Sequence, residues 1–125
     1  MNIKNIFKNK TILITGGTGS FGNSFTKILL KKCKIRKLII FSRDEMKQWF
    51  MKEKFNDKKI KFMIGDVRDE DSVINASRNV DFIIHAAATK IVPTAEIIIT
   101  RALSLETRPS KVFCKLFIIS SDSTL

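Results

Sequence analysis

The sequence predicts an α/β fold, a doubly wound parallel sheet of about five strands that stops early. Three observations predict it. Short apolar runs alternate with helical segments at a regular interval along all 125 residues. The first run, Thr11-Ile12-Leu13-Ile14, passes directly into Thr15-Gly16-Gly17-Thr18-Gly19-Ser20-Phe21-Gly22. That glycine stretch then opens a helix, because Phe21, Phe25, Ile28 and Leu29 recur at helical spacing. Strand, glycine turn and helix in this order make the sheet Rossmann-type, with a site for a diphosphate at the helix N-terminus.

The elements follow in order. Strands are expected at Thr11–Ile14, Leu38–Phe41, Ile60–Ile64, Phe82–Ile84 and Leu116–Ile119, each a short apolar run of the kind a buried parallel strand shows. The first helix runs from Ser20 to Lys32. Met46, Trp49 and Phe50 mark a face of the second. Val73, Ile74 and Ser77 mark the third, with Asp69 or Asp71 near its N-terminus. Ala95, Ile98, Ile99, Ala102 and Leu103 repeat at the same spacing, with Thr94 as a cap and Arg108-Pro109 as a stop. Alternating strands and helices imply right-handed crossovers.

Length allows one domain, residues 1–125. The N-terminus carries lysines but no apolar signal-peptide core, and no run reaches the length of a membrane span, so a cytoplasmic protein is expected. Cys33 and Cys114 stand apart and the single histidine has no companions, so the thiols are read as reduced and no metal site is expected. The formal charge is +11, but the lysines are spread along the chain without interleaved aromatic residues. That pattern gives only diffuse attraction to polyanions, so no specific nucleic-acid binding is expected.

The glycines satisfy two spacings, Gly17-x-Gly19-x-x-Gly22 and Gly16-x-x-Gly19-x-x-Gly22. At the end of the second strand an NAD site wants a carboxylate for the ribose 2′-hydroxyl. Here Ser42 and Arg43 come first and Asp44 after them. A guanidinium fork with a hydroxyl beside it suits a 2′-phosphate, which favours NADP over NAD. The competing reading leaves Arg43 in solvent and gives the ribose to Asp44. Asp66 and Val67 follow the third strand, as an adenine contact or as a turn. His85 is read as a satisfied core residue with no catalytic role. Ala86, Ala87 and Ala88 leave room at the sheet edge for a cofactor ring, and Lys90 lies there as a substrate contact or a solvated lysine.

Four segments occur in order: Thr15–Gly22, Ser42-Arg43-Asp44-Glu45, Gly65-Asp66-Val67-Arg68-Asp69, and His85-Ala86-Ala87-Ala88-x-Lys90-x-Val92-Pro93-x-Ala95-Glu96. Together, over roughly residues 8 to 96, they resemble the extended short-chain dehydrogenase/reductases. The closest branch is that of polysaccharide biosynthesis, with its inverting UDP-N-acetylglucosamine 4,6-dehydratases. The resemblance implies tightly bound NADP and a UDP-linked N-acetyl amino sugar. Hydride leaves C4, water is lost across C5 and C6, and hydride returns to C6. It assigns Thr18, Gly19, Ser20 and Phe21 to the diphosphate and Ser42, Arg43, Asp44 and Glu45 to the adenosine phosphate. Asp66 and Val67 go to adenine, Ala86–Ala88 to the nicotinamide ribose and Lys90 to the substrate. It also implies homo-oligomers.

The chain departs from that pattern after Glu96. Ile97-Ile98-Ile99-Thr100-Arg101 replaces the family's Tyr-Asn-Pro and the helix after it. Ser120-Ser121-Asp122-Ser123 stands where the family has Ser-Thr-Asp-Lys, so Asp122 matches the acid for the departing 6-hydroxyl while Ser123 replaces the C5 base. The chain contains no tyrosine, and so lacks the Tyr-x-x-x-Lys pair that moves the C4 hydroxyl proton. The expectation is an N-terminal portion of such an enzyme, without its C-terminal substrate domain and inactive alone. The competing readings are a non-catalytic NADP-binding module or another nucleotide-sugar epimerase or dehydratase.

Overall fold

The computed structural model describes residues 3–86 and 115–118. A single turn, α1 (Ile3–Ile6), precedes β1 (Thr11–Thr15), α2 (Ser20–Lys32), β2 (Lys37–Ser42), α3 (Glu45–Phe55), β3 (Ile60–Ile64), α4 (Glu70–Ser77), β4 (Phe82–His85) and β5 (Lys115–Ile118). The five strands form one sheet in the order β3-β2-β1-β4-β5, and all four pairings are parallel. From β1 the chain builds outward through β2 and β3, then crosses back to place β4 on the other side of β1. The order therefore reverses between β1 and β4, the position where a doubly wound sheet opens a crevice at its carboxyl edge.

Alternation along the strands supplies a core on each face of the sheet. Leu13, Ile39, Phe41 and Ile83 point to one side and pack with Val67, Val80 and α4 through Val73 and Ala76. Ile12, Ile14, Leu38, Ile40, Phe82 and Ile84 point to the other and pack with Leu29 and Cys33 beside α2 and with Met51 of α3. A side-chain period of two in a strand buried on both faces explains why these runs read as continuously apolar.

Four strands match the expected runs or outlast them by one or two residues. Polar Thr15, Ser42 and His85 continue the ladder past the apolar stretch. The fifth strand begins and ends one residue earlier than expected, at Lys115 and Ile118. The expected helix around Ala95–Leu103 and Cys114 lie outside the described residues. Cys33 is buried, and burial pushes its thiol pKa up.

α3 departs from the simplest reading of its sequence. Met46, Trp49 and Phe50 are 69%, 57% and 59% exposed, and the helix buries Gln48 and Met51 instead. An apolar triad normally turns inward. Here the inward face is fixed by Gln48, whose amide reaches backbone carbonyls at the ends of β2 and β3. Asp44 caps the helix N-terminus, its Oδ1 accepting from Lys47 N at 3.0 Å. Asn56 ends it in the left-handed region at φ 42°.

Candidate cofactor-binding site

The segments singled out in the sequence converge on one edge of the sheet. In register, Thr15 of β1 lies opposite Phe41 of β2 and His85 of β4, and Ser42 lies opposite Ile64 of β3. The glycine turn, the Ser42–Glu45 loop, the Gly65–Asp69 loop and Ala86 therefore all leave from the carboxyl ends of adjacent strands.

The glycine turn has a distinct task at each position that matters. Gly16 takes a positive φ of 67° and donates its N–H to Phe41 O at 2.8 Å, so the chain turns while staying tied to β2. Gly22 lies inside α2 with its Cα against the turn, and a Cβ there would run into the Gly17 carbonyl. Gly19 is different. A Cβ on it would meet only Gly16 O, at 3.7 Å, and otherwise faces open space. Gly19 is also the N-cap of α2, and no side chain caps that terminus. Asn23 fixes the turn from below, its Nδ2 donating to Thr18 O at 3.1 Å and Gly19 O at 2.9 Å. The result is an open, uncapped 13-residue helix N-terminus with exposed Ser20 and Phe21 beside it. This is the arrangement a diphosphate fits, because the first N–H groups of a helix lack intrahelical partners and carry partial positive charge.

At the next strand end the structure brings Arg43 and Asp66 together, with Arg43 Nη1 3.8 Å from Asp66 Oδ2. Arg68, which the sequence reading did not single out for a role, makes the stronger contact. Its Nη2 lies 2.7 Å from Oδ2, its Nε 3.1 Å from both oxygens, and its backbone N–H donates to Oδ1 at 2.9 Å. These bonds from Arg68 hold the Asp66 carboxyl down at about 2, and the same pairing raises Arg68. The signal for Arg68 in the sequence was its place two residues after Asp66, the span of an Asx turn. Val67 is buried in the core, so contact with a ligand falls to its backbone. Asp44 already serves as helix cap, and exposed Glu45 opens the first turn of α3.

Ser42 is buried under α3, its hydroxyl accepting from Gln48 Nε2 at 3.0 Å. Across the crevice, Thr15 Oγ1 lies 2.6 Å from His85 Nδ1, both residues fully buried. Ala86 donates its N–H to Thr15 O at 2.9 Å, which keeps the first of the three alanines at the β1–β4 junction. Ala87, Ala88, Lys90 and Asp122 lie outside the described residues. Among the described residues no cluster of three or more His, Cys, Asp or Glu side chains forms a metal site, and no helix is long and apolar enough to cross a membrane.

A family model described as polysaccharide biosynthesis protein matches residues 12–118, which takes in the sheet but for Thr11, and all of these loops. The chain belongs to that family. Its curated relatives include a Campylobacter jejuni UDP-N-acetylglucosamine 4,6-dehydratase (inverting), 56% identical over 91 residues. A Rickettsia bellii UDP-glucose 4-epimerase is 52% identical over 94 residues. Each alignment covers 73% of this chain, and 27% and 28% of the relatives respectively, so the chain spans about a quarter of their length. Among solved structures, Pen from Bacillus thuringiensis is 33% identical at a TM-score of 0.70, over 77% of this chain and 34% of that one. A Veillonella parvula short-chain dehydrogenase/reductase in complex with NADP shares the fold at a TM-score of 0.63 and 20% identity, over 76% and 42%. The Bordetella bronchiseptica enzyme WbmG in complex with NAD does so at 0.62 and 18%, over 77% and 34%. This member of the polysaccharide biosynthesis family thus shares its fold with short-chain dehydrogenase/reductases, and it matches the N-terminal part of its nucleotide-sugar relatives.

Proposed function

We propose that these residues form the NADP-binding part of an inverting UDP-N-acetylglucosamine 4,6-dehydratase, a cytoplasmic lyase of polysaccharide or flagellin-glycan biosynthesis that works as a homo-oligomer. The observation that carries the cofactor reading is the open N-terminus of α2 at the point where strand order reverses, with Arg43 at the neighbouring strand end. The 56% identity to the Campylobacter jejuni enzyme carries the substrate reading.

In this reading the N–H groups at Thr18–Gly22 bind the diphosphate, and Gly16 and Gly19 let backbone approach it. Ser42 and Arg43 hold the 2′-phosphate, with Asp44 and Glu45 shaping that loop. Arg43, first past the strand and exposed, supports NADP over NAD, because a guanidinium fork matches a 2′-phosphate. Asp66 accepts from the adenine amino group while Arg68 keeps it ionised, and Val67 contributes backbone. Ala86–Ala88 leave space for the nicotinamide ribose, Lys90 meets the UDP-sugar, and Asp122 protonates the departing 6-hydroxyl. NADP, when bound, supplies hydride acceptance from C4 and return at C6. With no tyrosine in the chain, the C4 hydroxyl proton has no familiar acceptor, so the 125 residues alone bind cofactor without turnover.

The epimerase relatives favour a second reading, in which the same cofactor part serves C4 epimerisation of a UDP-hexose. A chimera tests the cofactor part that both readings share. Residues 8–96 would replace the matching segment of the Campylobacter jejuni dehydratase, and its product from UDP-N-acetylglucosamine would be followed by mass spectrometry and NMR. Loss of one water with a 4-keto product is expected. A chimera that folds but retains no cofactor, or that forms no 4-keto product, overturns the proposal.

A further inference from the structure

Gln48 is a polar side chain in the place of a core residue. It is 5% exposed, on the inner face of α3 next to Met51, and no part of the cofactor reading above uses it. Its Nε2 lies 2.8 Å from Met63 O, 3.0 Å from Ser42 Oγ and 3.4 Å from Ser42 O. Two of these neighbours are carbonyl oxygens, which only accept. The amide must therefore turn its NH2 toward them, since the opposite orientation would set Oε1 against two carbonyls. The two amide protons go to the nearest acceptors, Met63 O and Ser42 Oγ.

The consequence falls on Ser42. Its hydroxyl accepts from Gln48, and its own proton cannot return to a nitrogen that has no free lone pair. The Ser42 carbonyl is occupied as well, accepting from Gly65 N at 3.0 Å. The hydroxyl makes no other hydrogen bond among the described residues. Ser42 thus stands at the carboxyl end of β2, beside Arg43, as a donor waiting for an acceptor.

We infer that Gln48 is a positioning residue that fixes the Ser42 hydroxyl as a hydrogen-bond donor toward the cofactor's 2′-phosphate, and so sets the preference for NADP over NAD. The inference rests on the NADP reading above. A phosphate presents only acceptors, so a fixed donor always matches it, and a charge-assisted bond is about twice as strong as a neutral one. A ribose hydroxyl can donate or accept and gains little from the constraint. Gln48 acts through Ser42 and touches no ligand itself.

The test is a double-mutant cycle on the purified chain, read as the ratio of NADP to NAD affinity by titration calorimetry. The variants are Gln48→Met, Ser42→Ala and the pair, with Gln48→Glu as a second probe that replaces the donor by an acceptor of the same size. Each single variant is expected to lower the ratio by about tenfold, the scale of one hydrogen bond to a charged group. The double variant is expected to fall no further than Ser42→Ala. A strut that merely supports the fold would lower both affinities together and leave the ratio alone. A wild-type preference for NADP that survives in a folded Gln48→Met or Gln48→Glu variant overturns the inference and spares the cofactor reading. So does a loss additive to that of Ser42→Ala. A wild-type chain that binds NADP no more tightly than NAD overturns both.

Discussion

Thr15 Oγ1 and His85 Nδ1 lie 2.6 Å apart, joining the carboxyl ends of β1 and β4 across the point where strand order reverses. The pair sits beneath the crevice rather than in it, since both side chains are buried. The Ala86 N–H to Thr15 O bond runs beside it, so side chain and backbone together hold the first alanine against the glycine turn. Thr15→Val keeps the shape and removes the hydroxyl from His85. It is expected to cost about 1–3 kcal/mol, the penalty of desolvating a buried polar group without that partner. Urea unfolding of the two proteins checks it, and a change below about 0.5 kcal/mol would mean that the bond adds nothing to stability.

Gly19 and Gly22 are expected to respond in opposite ways to the same methyl group. Gly22→Ala drives a Cβ into the Gly17 carbonyl, so it is expected to lower stability by about 1–3 kcal/mol through overpacking. Gly19→Ala meets open space, so it is expected to cost less than about 1 kcal/mol as a poorer N-cap. Its effect falls on the cofactor, with NADP affinity dropping about tenfold or more as the methyl enters the phosphate's approach. Parallel thermal melts and calorimetric titrations distinguish the two glycines. Equal stability losses would contradict the separate roles.

Asp66 links the loop to pH. Its carboxyl is held at about 2 by Arg68, below the ordinary value of 3.8 that applies in the unfolded chain. A depressed folded value stabilises the loop above the unfolded value. That stabilisation is lost as pH falls from about 4 through about 2. The pair is partly exposed, which keeps the effect small. Carboxyl chemical shifts followed by NMR are expected to give Asp66 a midpoint near 2, and Arg68→Gln is expected to raise it. A midpoint unchanged by that substitution would mean the pairing does not persist in solution.

Trp49 and Phe50 stand edge to face at 5.2 Å on the outer side of α3. Substituting both by lysine removes no core contact, so stability is expected to stay within about 0.5 kcal/mol at each position. Denaturant midpoints check this. A loss above about 2 kcal/mol would show that this face packs against protein in solution.

The sequence made the sheet legible because the central strands were continuous apolar runs and the glycine turn has few other uses. Strand ends were less legible, since Thr15, Ser42 and His85 pair in the ladder without being apolar. The inner face of α3 was not legible, because its aromatic residues mark the outer face while a glutamine bonded to strand-end carbonyls marks the inner one. The site loops could be read from Ser42, Arg43 and Asp66, which the structure gathers at one edge. Gln48, Asn23 and Arg68 escaped notice because their roles depend on carbonyls and carboxylates that only the fold brings within reach.

The central claim is a folded cofactor part that prefers NADP, and thermal unfolding of the purified chain with and without each dinucleotide tests it most directly. A ligand that binds only the folded state stabilises it by about 2.7 kcal/mol at one hundred times its dissociation constant. The account predicts one cooperative transition that rises clearly with NADP and less with NAD. No response to either dinucleotide, or a larger rise with NAD, would contradict it.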